Sequence, residues 1–302
     1  PGTYTIGTGG NFATIQEAFN KLETDGVAGN VTLELIDELF VAPAGQYGFL
    51  LNGPIPGAGP NSRVTIKPAE NKNVVVQHNG RAVFYLVNTS YLNIDGIGTT
   101  GSTSLTVQAL HNTAYPYNEG ILFMNNSDHN VIQNITFLIE DYLRESGFGF
   151  WSEQAGTAAD SNLIQNNFVK KAGWSLYIYN TGTGVMCKGN IIRGNQFGSE
   201  TDSLVATGIQ VNHGENTLIE NNIIQNLRVT FPGVGKGQVG IATVFGSGNI
   251  IRNNVIKNLR GTAGSMACGI FLLGLSGIYG NDNYAYNNMI YDINSTTIQS
   301  DS

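Results

Sequence analysis

The sequence of 302 residues predicts an all-β solenoid, a stack of short-strand coils with one amphipathic helix near its N-terminus. Three observations lead to this prediction: a repeat of about 30 residues, an Asn or Gly at one fixed position of the repeat, and apolar columns on both sides of that position. A unit of this length made of short strands cannot bury its own apolar face. It must therefore stack on its neighbours.

Six segments of the chain define the register of the repeat. They read NVIQNITF (130–137), NLIQNNFV (162–169), NIIRGNQF (190–197), TLIENNII (217–224), NIIRNNVI (249–256) and NYAYNNMI (283–290). The aligned anchors are Asn134, Asn166, Gly194, Asn221, Asn253 and Asn287. Because Asn and Gly share a tolerance of left-handed backbone, the anchor is predicted to be a corner with positive φ. Stacked anchors are also expected to form a ladder of side-chain amides. YLNIDGIG (91–98), with Gly96, reads as a weaker copy.

A second strand precedes each anchor and begins at Gly or Ser. The copies are GILFMN (120–125), GFGFWS (147–152), SLYIYN (175–180), GIQVNH (208–213), GIATVF (240–245) and GIFLLG (269–274). The period of two predicts that none of the outward residues is ionisable, which counts against catalysis on this face. The face is unusually apolar, so either the long loops cover it or it contacts a sugar or a protein. On adjacent coils, Trp151, Tyr177 and Tyr179 suit stacking on sugar rings and are the predicted carbohydrate- or partner-binding residues.

The N-terminal segment FATIQEAFNKLETDG (12–26) predicts the helix. Phe12, Ile15, Phe19 and Leu22 share one helical face, Thr14 and Glu17 match a capping box, and Gly26 can end the helix. VTLELID (31–37) and SRVTIKP (62–68) read as early strands. The predicted organisation is one domain over 1–302, with a cap helix at 12–26, irregular coils at 31–98 and regular coils at 99–293.

The pattern I-x-N-N-x-I followed by G-I resembles the right-handed parallel β-helix superfamily, which has the pectin-lyase-like fold. The resemblance covers about residues 82–293 and implies a right-handed single-stranded β-helix whose first coil the N-terminal helix plugs. It implies little about function, since the superfamily includes lyases, hydrolases, esterases and adhesins. The chain has no Asp-Asp pair of the polygalacturonase-like hydrolases. Neither the Asp/Gln signature of pectin methylesterases nor the Asp-rich calcium site of pectate lyases is evident.

Composition excludes some partners. The net charge is −7 and only 12% of residues are charged, which argues against nucleic acid and anionic membrane surfaces. No apolar run reaches the roughly 18 residues of a membrane span. Cys187 and Cys268 lie about three coils, or on the order of 14 Å, apart, so two buried thiols are expected rather than a disulfide. The start at Pro1 without Met favours an exported protein, secreted or on the cell surface.

Ionisable residues concentrate between 111 and 160. Glu119, Arg144, Glu145 and Glu153 are the candidate catalytic residues if loops of adjacent coils converge there, and Ca²⁺ is a conceivable ligand of the 140–160 region; otherwise the loop is simply solvated. Elsewhere, Arg193, Glu220 and Arg252 on consecutive coils predict a structural charge ladder.

The favoured function is a non-catalytic extracellular β-helix protein without a cofactor, structural, adhesive or filament-forming through its end coils or apolar outer face. Its expected partners are itself, head to tail, or a surface polysaccharide. The alternative is a polysaccharide lyase or glycoside hydrolase that uses the loops of 111–160.

Overall fold

A computed structural model describes residues 1–98, 103–115, 117–140, 147–180, 185–228, 238–261, 267–274 and 282–295. These residues form a parallel β-solenoid with one short helix near the N-terminus, so the predicted fold class is confirmed. Arg144 and Glu145, two of the candidate catalytic residues, lie outside the described residues.

The described residues form one helix and 28 strands. In the first half of the chain these are β1 (Gly2–Ile6), α1 (Ile15–Asp25), β2 (Val31–Leu35), β3 (Leu39–Val41), β4 (Tyr47–Asn52), β5 (Val64–Pro68), β6 (Val74–His78), β7 (Ala82–Val87), β8 (Leu92–Asp95), β9 (Leu105–Ala109), β10 (Glu119–Met124), β11 (Val131–Gln133), β12 (Ile135–Ile139), β13 (Phe148–Ser152) and β14 (Leu163–Gln165). In the second half they are β15 (Phe168–Asn180), β16 (Cys187–Lys188), β17 (Ile191–Arg193), β18 (Gln196–Phe197), β19 (Leu204–Asn212), β20 (Gly214–Glu215), β21 (Leu218–Glu220), β22 (Ile223–Arg228), β23 (Gln238–Val244), β24 (Ile250–Arg252), β25 (Val255–Gly261), β26 (Ala267–Leu273), β27 (Tyr284–Tyr286) and β28 (Met289–Ser295).

The helix begins after Thr14, whose hydroxyl accepts a hydrogen bond from the Glu17 N–H at 3.1 Å. The prediction of a helix from residue 12 is therefore wrong at its start. The Glu17 carboxylate reaches back to the Ala13 N–H, at 2.8 Å, one residue earlier than in the predicted capping box. The helix ends as predicted at Gly26, which has a φ of 64°.

The helix closes one edge of the first coil. The Gln16 amide donates to the Leu50 carbonyl at 2.7 Å and accepts from the Leu50 N–H at 2.8 Å. One side chain thus satisfies the backbone groups of β4 that a neighbouring strand would otherwise satisfy. Ile15 and Phe19 are fully buried beneath it in the main core.

Two large sheets wind around this core, and β16 and β20 form a third sheet of two strands. The first has ten strands in the order β1-β2-β5-β8-β11-β14-β17-β21-β24-β27. The second bends and holds two runs of strands. One run, β3-β6-β9-β12-β15-β18-β22-β25-β28, follows the Asn corner. The other, β4-β7-β10-β13-β15-β19-β23-β26, carries the outer face considered below. Inward apolar residues of both sheets form one continuous cluster.

The predicted corner is confirmed. The anchors have φ values of 58°, 55°, 64°, 56°, 55° and 54°, in the order Asn134, Asn166, Gly194, Asn221, Asn253 and Asn287. Gly96, the weaker copy, is absent from the positive-φ corners, and a Cβ there would lie 1.8 Å from the Asn134 carbonyl oxygen. Glycine is required at this position because the backbone of Asn134 approaches it closely, and not because of a positive φ.

The expected amide ladder exists, but one residue later than predicted. It is formed by the second Asn of each pair: Asn167, Asn195, Asn222, Asn254 and Asn288. Successive amides bond at 2.9–3.0 Å. The anchors Asn166, Asn221 and Asn253 are exposed, because the left-handed corner turns their side chains outwards and those of their successors inwards.

Close packing explains the Gly that recurs in the second strand of the repeat. A Cβ on Gly208, Gly240 or Gly269 would lie 2.6 Å from an inward isoleucine, which is Ile256 in the case of Gly240. Only a residue without a side chain fits there. The parallel register is the same on both sides of these glycines, so the strands run through them without an inserted residue.

Candidate functional site

The outer face of β4, β7, β10, β13 and β15 carries a concentration of aromatic side chains. We call it the aromatic face and define it by Tyr47, Tyr85, Trp151, Trp174, Tyr177 and Tyr179. Parallel register places these residues in outward rows. Tyr85, Gly149 and Tyr177 belong to one row, Trp151 and Tyr179 are direct partners in the next, and Tyr47 pairs with Ala82 in another. A solenoid repeats this spacing of about 4.8 Å between coils, so the rings lie side by side along the long axis.

The rings contact one another in pairs. Tyr47 and Tyr85 stack with centroids 4.1 Å apart. Trp151 packs on Tyr179, at 4.7 Å, and meets Tyr177 edge-on, at 5.8 Å and 87°. These contacts hold Trp151 and Tyr179 in fixed orientations, which favours binding because little side-chain entropy remains to be lost.

Two of the three predicted binding residues reach the surface. Trp151 and Tyr179 are half-buried, whereas Tyr177 is only 1% exposed and its ring is covered. Prediction of Tyr177 as a stacking surface for sugar is therefore wrong in this structure. Its ring supports Trp151 from below.

Burial of the outward aliphatic side chains decides between the two explanations of the apolar face, which are cover by loops and an open contact surface. Leu122, Met124 and Ala242 point outwards yet are 0%, 4% and 5% exposed. The face is thus covered at these positions, as the loop-cover explanation expects, and the half-buried rings beside them remain accessible.

A charged pair adjoins the rings. Arg81 lies with its guanidinium carbon 6.0 Å from the Tyr85 ring centroid and 5.8 Å from that of Tyr117. Burial alone would lower the pKa of Arg81, but the negative charge of Glu119 and the nearby tyrosines raise it above its ordinary value. Arg81 therefore stays cationic beside Glu119 at any physiological pH.

Glu119 belongs to the outer face as well. It is 1% exposed and pairs in register with Ala82, and its Oε1 accepts a long hydrogen bond from the Tyr177 hydroxyl at 3.5 Å. The outward positions predicted from Gly120 onwards, such as Leu122 and Met124, carry no ionisable residue, and Glu119 lies one residue before that stretch. Gly120 and Ile121 both face the core, so the alternation breaks there and Glu119 takes the outer face, which a strict period of two does not anticipate.

Glu153 is exposed at the rim of the same face. Burial is the main cause that raises the pKa of Tyr85 to about 12; the neighbouring Tyr47 and the charge of Glu153 act in the same direction, while Arg81 opposes them. Glu119 and Glu153 thus both act on the Arg81–Tyr85 pair. The role of the four candidate catalytic residues stays a prediction.

Sequence reasoning missed Tyr47, Arg81 and Tyr85. They lie in the first irregular coils, where no Asn anchor sets the register, so the sequence does not reveal that Tyr85 shares a row with Leu122 and Tyr177. The signal that could have found them is the alternation in RAVFYLV (81–87), which places Tyr85 opposite the inward Phe84 and Leu86.

The other predicted features lie away from this face. Arg252 pairs with Glu220 at 2.7 Å, whereas Arg193 donates to Gln165 at 2.9 Å. Both bonds run between neighbouring coils, as a structural ladder requires. Cys187 and Cys268 are free thiols, and burial raises the pKa of Cys187 to about 12.

Within the described residues, no group of three or more His, Cys, Asp or Glu side chains is placed to hold a metal ion. A calcium site between 140 and 160 stays a prediction, since residues 141–146 lie outside the described part of the chain. No helix among the described residues is long and apolar enough to cross a membrane.

Comparison with known proteins concerns the fold. The family model described as right handed beta helix region matches residues 149–301. No curated protein matches the sequence. An alginate lyase from Paenibacillus sp. str. FPU-7 superposes with a TM-score of 0.59 at 16% identity, over 98% of this chain and 98% of that one.

Two further solved structures are more distant. A GH136 lacto-N-biosidase from Eubacterium ramulus has a TM-score of 0.48 at 12% identity, over 96% of this chain and 68% of that one. A pectin methylesterase from Aspergillus niger has a TM-score of 0.36 at 10% identity, over 98% and 86% of the two chains. At 16% identity, the likeness to the alginate lyase shows a shared fold alone.

Proposed function

The chain belongs to the right-handed β-helix family, and we propose that it is an extracellular protein that binds polysaccharide on its aromatic face. The observation that carries the proposal is the pair Trp151 and Tyr179, half-buried, in register on adjacent coils and 4.7 Å apart. Two fixed rings side by side along a solenoid offer an extended platform to a linear ligand.

The chemistry of the face suits a sugar chain. Aromatic rings bury the apolar C–H faces of pyranose rings, and tyrosine hydroxyls offer hydrogen bonds at the same time. Arg81 adds up to five N–H donors that suit sugar hydroxyl or carboxylate oxygens. The enzyme from Paenibacillus is by its name an alginate lyase, which makes acidic polysaccharides a reasonable first choice of ligand.

The proposed activity is binding without cleavage. Glu119, the carboxylate whose charge acts on Arg81, is 1% exposed, and a general acid or base needs to reach the substrate directly or through one water. Cleavage is the second candidate, and one observation favours it: the guanidinium of Arg81, the Glu119 carboxylate and the Tyr177 phenol meet on one face.

Head-to-tail assembly of the solenoid stays a prediction. Inward-type residues of the last described coils are partly exposed, with Leu272 at 40% and Ile290 at 44%. Electron microscopy of the protein over a concentration series tests it. Regular filaments would support a structural role, and isolated short rods would contradict one.

The proposed function is tested with a panel of alginate, pectin and neutral polysaccharides. Calorimetry measures binding to the wild-type chain and to Trp151→Ala, and chromatography of the same mixtures measures release of shorter products. We expect saturable binding that Trp151→Ala weakens, with no products. If shorter products form with the wild-type chain and not with Glu119→Gln, the protein cleaves polysaccharide and the binding-only proposal is wrong. If no polysaccharide binds, both hypotheses are wrong.

A further inference from the structure

The structure has a groove on the face that follows the Asn corner, away from the aromatic face. It has a volume of about 460 Å³ and crosses four consecutive coils. We call it the basic groove and define it by the residues Gln225, Arg228, Lys257, Arg260, Tyr291 and Asp292. Three inter-coil spacings make it roughly 14 Å long. That length suits an extended ligand better than a single ion.

A second corner shapes the groove. Asn226, Asn258 and Asp292 occupy one column in β22, β25 and β28 and have φ values of 59°, 56° and 56°. The chain bends sharply at each of them, and the side chains before and after the bend line the groove. Its form is therefore built into three successive repeats.

The positive charges in the groove are placed side by side. Arg228 and Arg260 are direct partners in the parallel pairing of β22 and β25. Like charges in that position destabilise a sheet, so packing does not explain them. Three of the chain's 15 basic residues line this groove, although the net charge of the chain is −7.

Compensation of these charges is incomplete. Arg260 is held by Asp292, with Nη2 2.7 Å from the carboxylate and Nη1 2.9 Å from the carbonyl oxygen. Arg228 and Lys257 form no ion pair with the residues that the structure describes. Glu200, the other acidic residue in the groove, is exposed at its edge.

An aromatic ring completes the lining. Tyr291 pairs in register with Lys257 and is 46% exposed, so a ring face and an ammonium group lie on neighbouring coils. A ring beside cations that no described acidic residue pairs suits a ligand that combines apolar C–H faces with anionic groups. An acidic sugar chain has both properties.

We propose that the basic groove binds an acidic polysaccharide through its carboxylate or sulfate groups, with Arg228 and Lys257 as the anion-binding residues and Tyr291 as the stacking residue. This site goes beyond the aromatic face and is independent of it.

Calorimetry with a short oligouronate tests the proposal in the Trp151→Ala chain, in which the aromatic platform is removed. We expect binding that weakens as salt is raised, and that falls at least about tenfold in the double variant Arg228→Gln/Lys257→Gln. Arg193→Gln removes an exposed arginine from another sheet and should leave the affinity unchanged. Circular dichroism confirms that each variant folds.

Further probes separate the ligand classes. A neutral oligosaccharide of the same length should not bind this parent chain, and inorganic phosphate should bind far more weakly than the oligouronate. Equal binding of phosphate, or an unchanged affinity in the double variant, would overturn the proposal. Failure of the aromatic face to bind is read separately, from the wild-type chain with neutral polysaccharides.

Discussion

The indole of Trp151 meets the ring of Tyr177 edge-on, with centroids 5.8 Å apart and planes at 87°. Tyr177 is buried and Trp151 is half-buried, so the inner ring fixes the outer one. An arrangement of this kind separates two roles that the sequence could not distinguish, because both residues follow the same outward alternation.

Removal of the outer ring should weaken polysaccharide binding without unfolding the protein. We expect Trp151→Ala to lower the affinity about tenfold, since an aromatic contact contributes on the order of 1 kcal/mol beyond its buried area. Calorimetry measures the affinity. Tyr286→Ala, which removes an exposed tyrosine from the other sheet, is the matched control. An equal loss in both variants would contradict the assignment.

The buried amide ladder should matter more for stability than the exposed anchors beside it. Asn222 accepts from Asn195 and donates to Asn254, each at 3.0 Å. Asn222→Ala leaves buried polar groups on both neighbouring coils unpaired, and we expect it to lower the free energy of unfolding by about 3 kcal/mol. Urea unfolding measures this value.

The adjacent anchor provides the comparison. Asn221 is exposed and has a φ of 56°, a conformation that glycine adopts without strain. Asn221→Gly should therefore change the free energy of unfolding by less than about 1 kcal/mol. A larger loss for Asn221→Gly than for Asn222→Ala would reverse the order that the structure predicts.

The recurring Gly lies so close to an inward isoleucine that a larger residue in its place should destabilise the fold. A Cβ on Gly240 would lie 2.6 Å from both the Gly269 carbonyl oxygen and a methyl carbon of Ile256. We expect Gly240→Ala to destabilise the fold by about 2 kcal/mol. Gly59 has open space around its Cβ position, so Gly59→Ala should be nearly neutral. Thermal unfolding measures both variants. Equal effects of the two substitutions would contradict the packing argument.

Stability should fall in mild acid because of two histidines, the buried His78 and the half-buried His213. Burial lowers the pKa of His78 and of His213 below the ordinary 6.5, although backbone hydrogen bonds partly oppose it. Below pH 6.5 the unfolded chain then binds more protons than the folded one, so stability is fully present above that pH and decreases as the pH falls.

Urea unfolding between about pH 7.5 and 5 measures this dependence. His78→Gln should flatten the decrease, because one of the two groups no longer titrates. A decrease of equal size in His78→Gln would show that His78 does not contribute.

The repeat made the fold predictable from sequence. Asn134 and its five equivalents share a backbone requirement that few residues meet, and that requirement sets the register of both sheets at once. The ladder was placed one residue early, because sequence identity at Asn253 and Asn254 does not say which side chain turns inwards. Only the sign of φ at the corner decides that.

The candidate site was less predictable, for two physical reasons. Gly120 and Ile121 both face the core, so Glu119 takes the outer face, and a strict period of two cannot detect this break in the alternation. Burial of Tyr177 results from groups far away in sequence, and its hydroxyl contacts Glu119 two coils earlier. Burial by residues that are distant in the sequence leaves no pattern in the sequence around Tyr177.

A fluorescence titration tests the central claim most directly. The chain has two tryptophans, Trp151 and Trp174, and both belong to the aromatic face, so the emission of the protein reports on this surface. We predict a saturable change in emission as alginate, pectin or a neutral polysaccharide is added, with Trp174→Phe preserving the change and Trp151→Phe removing most of it. No saturable change with any of these polysaccharides would contradict polysaccharide binding on the aromatic face.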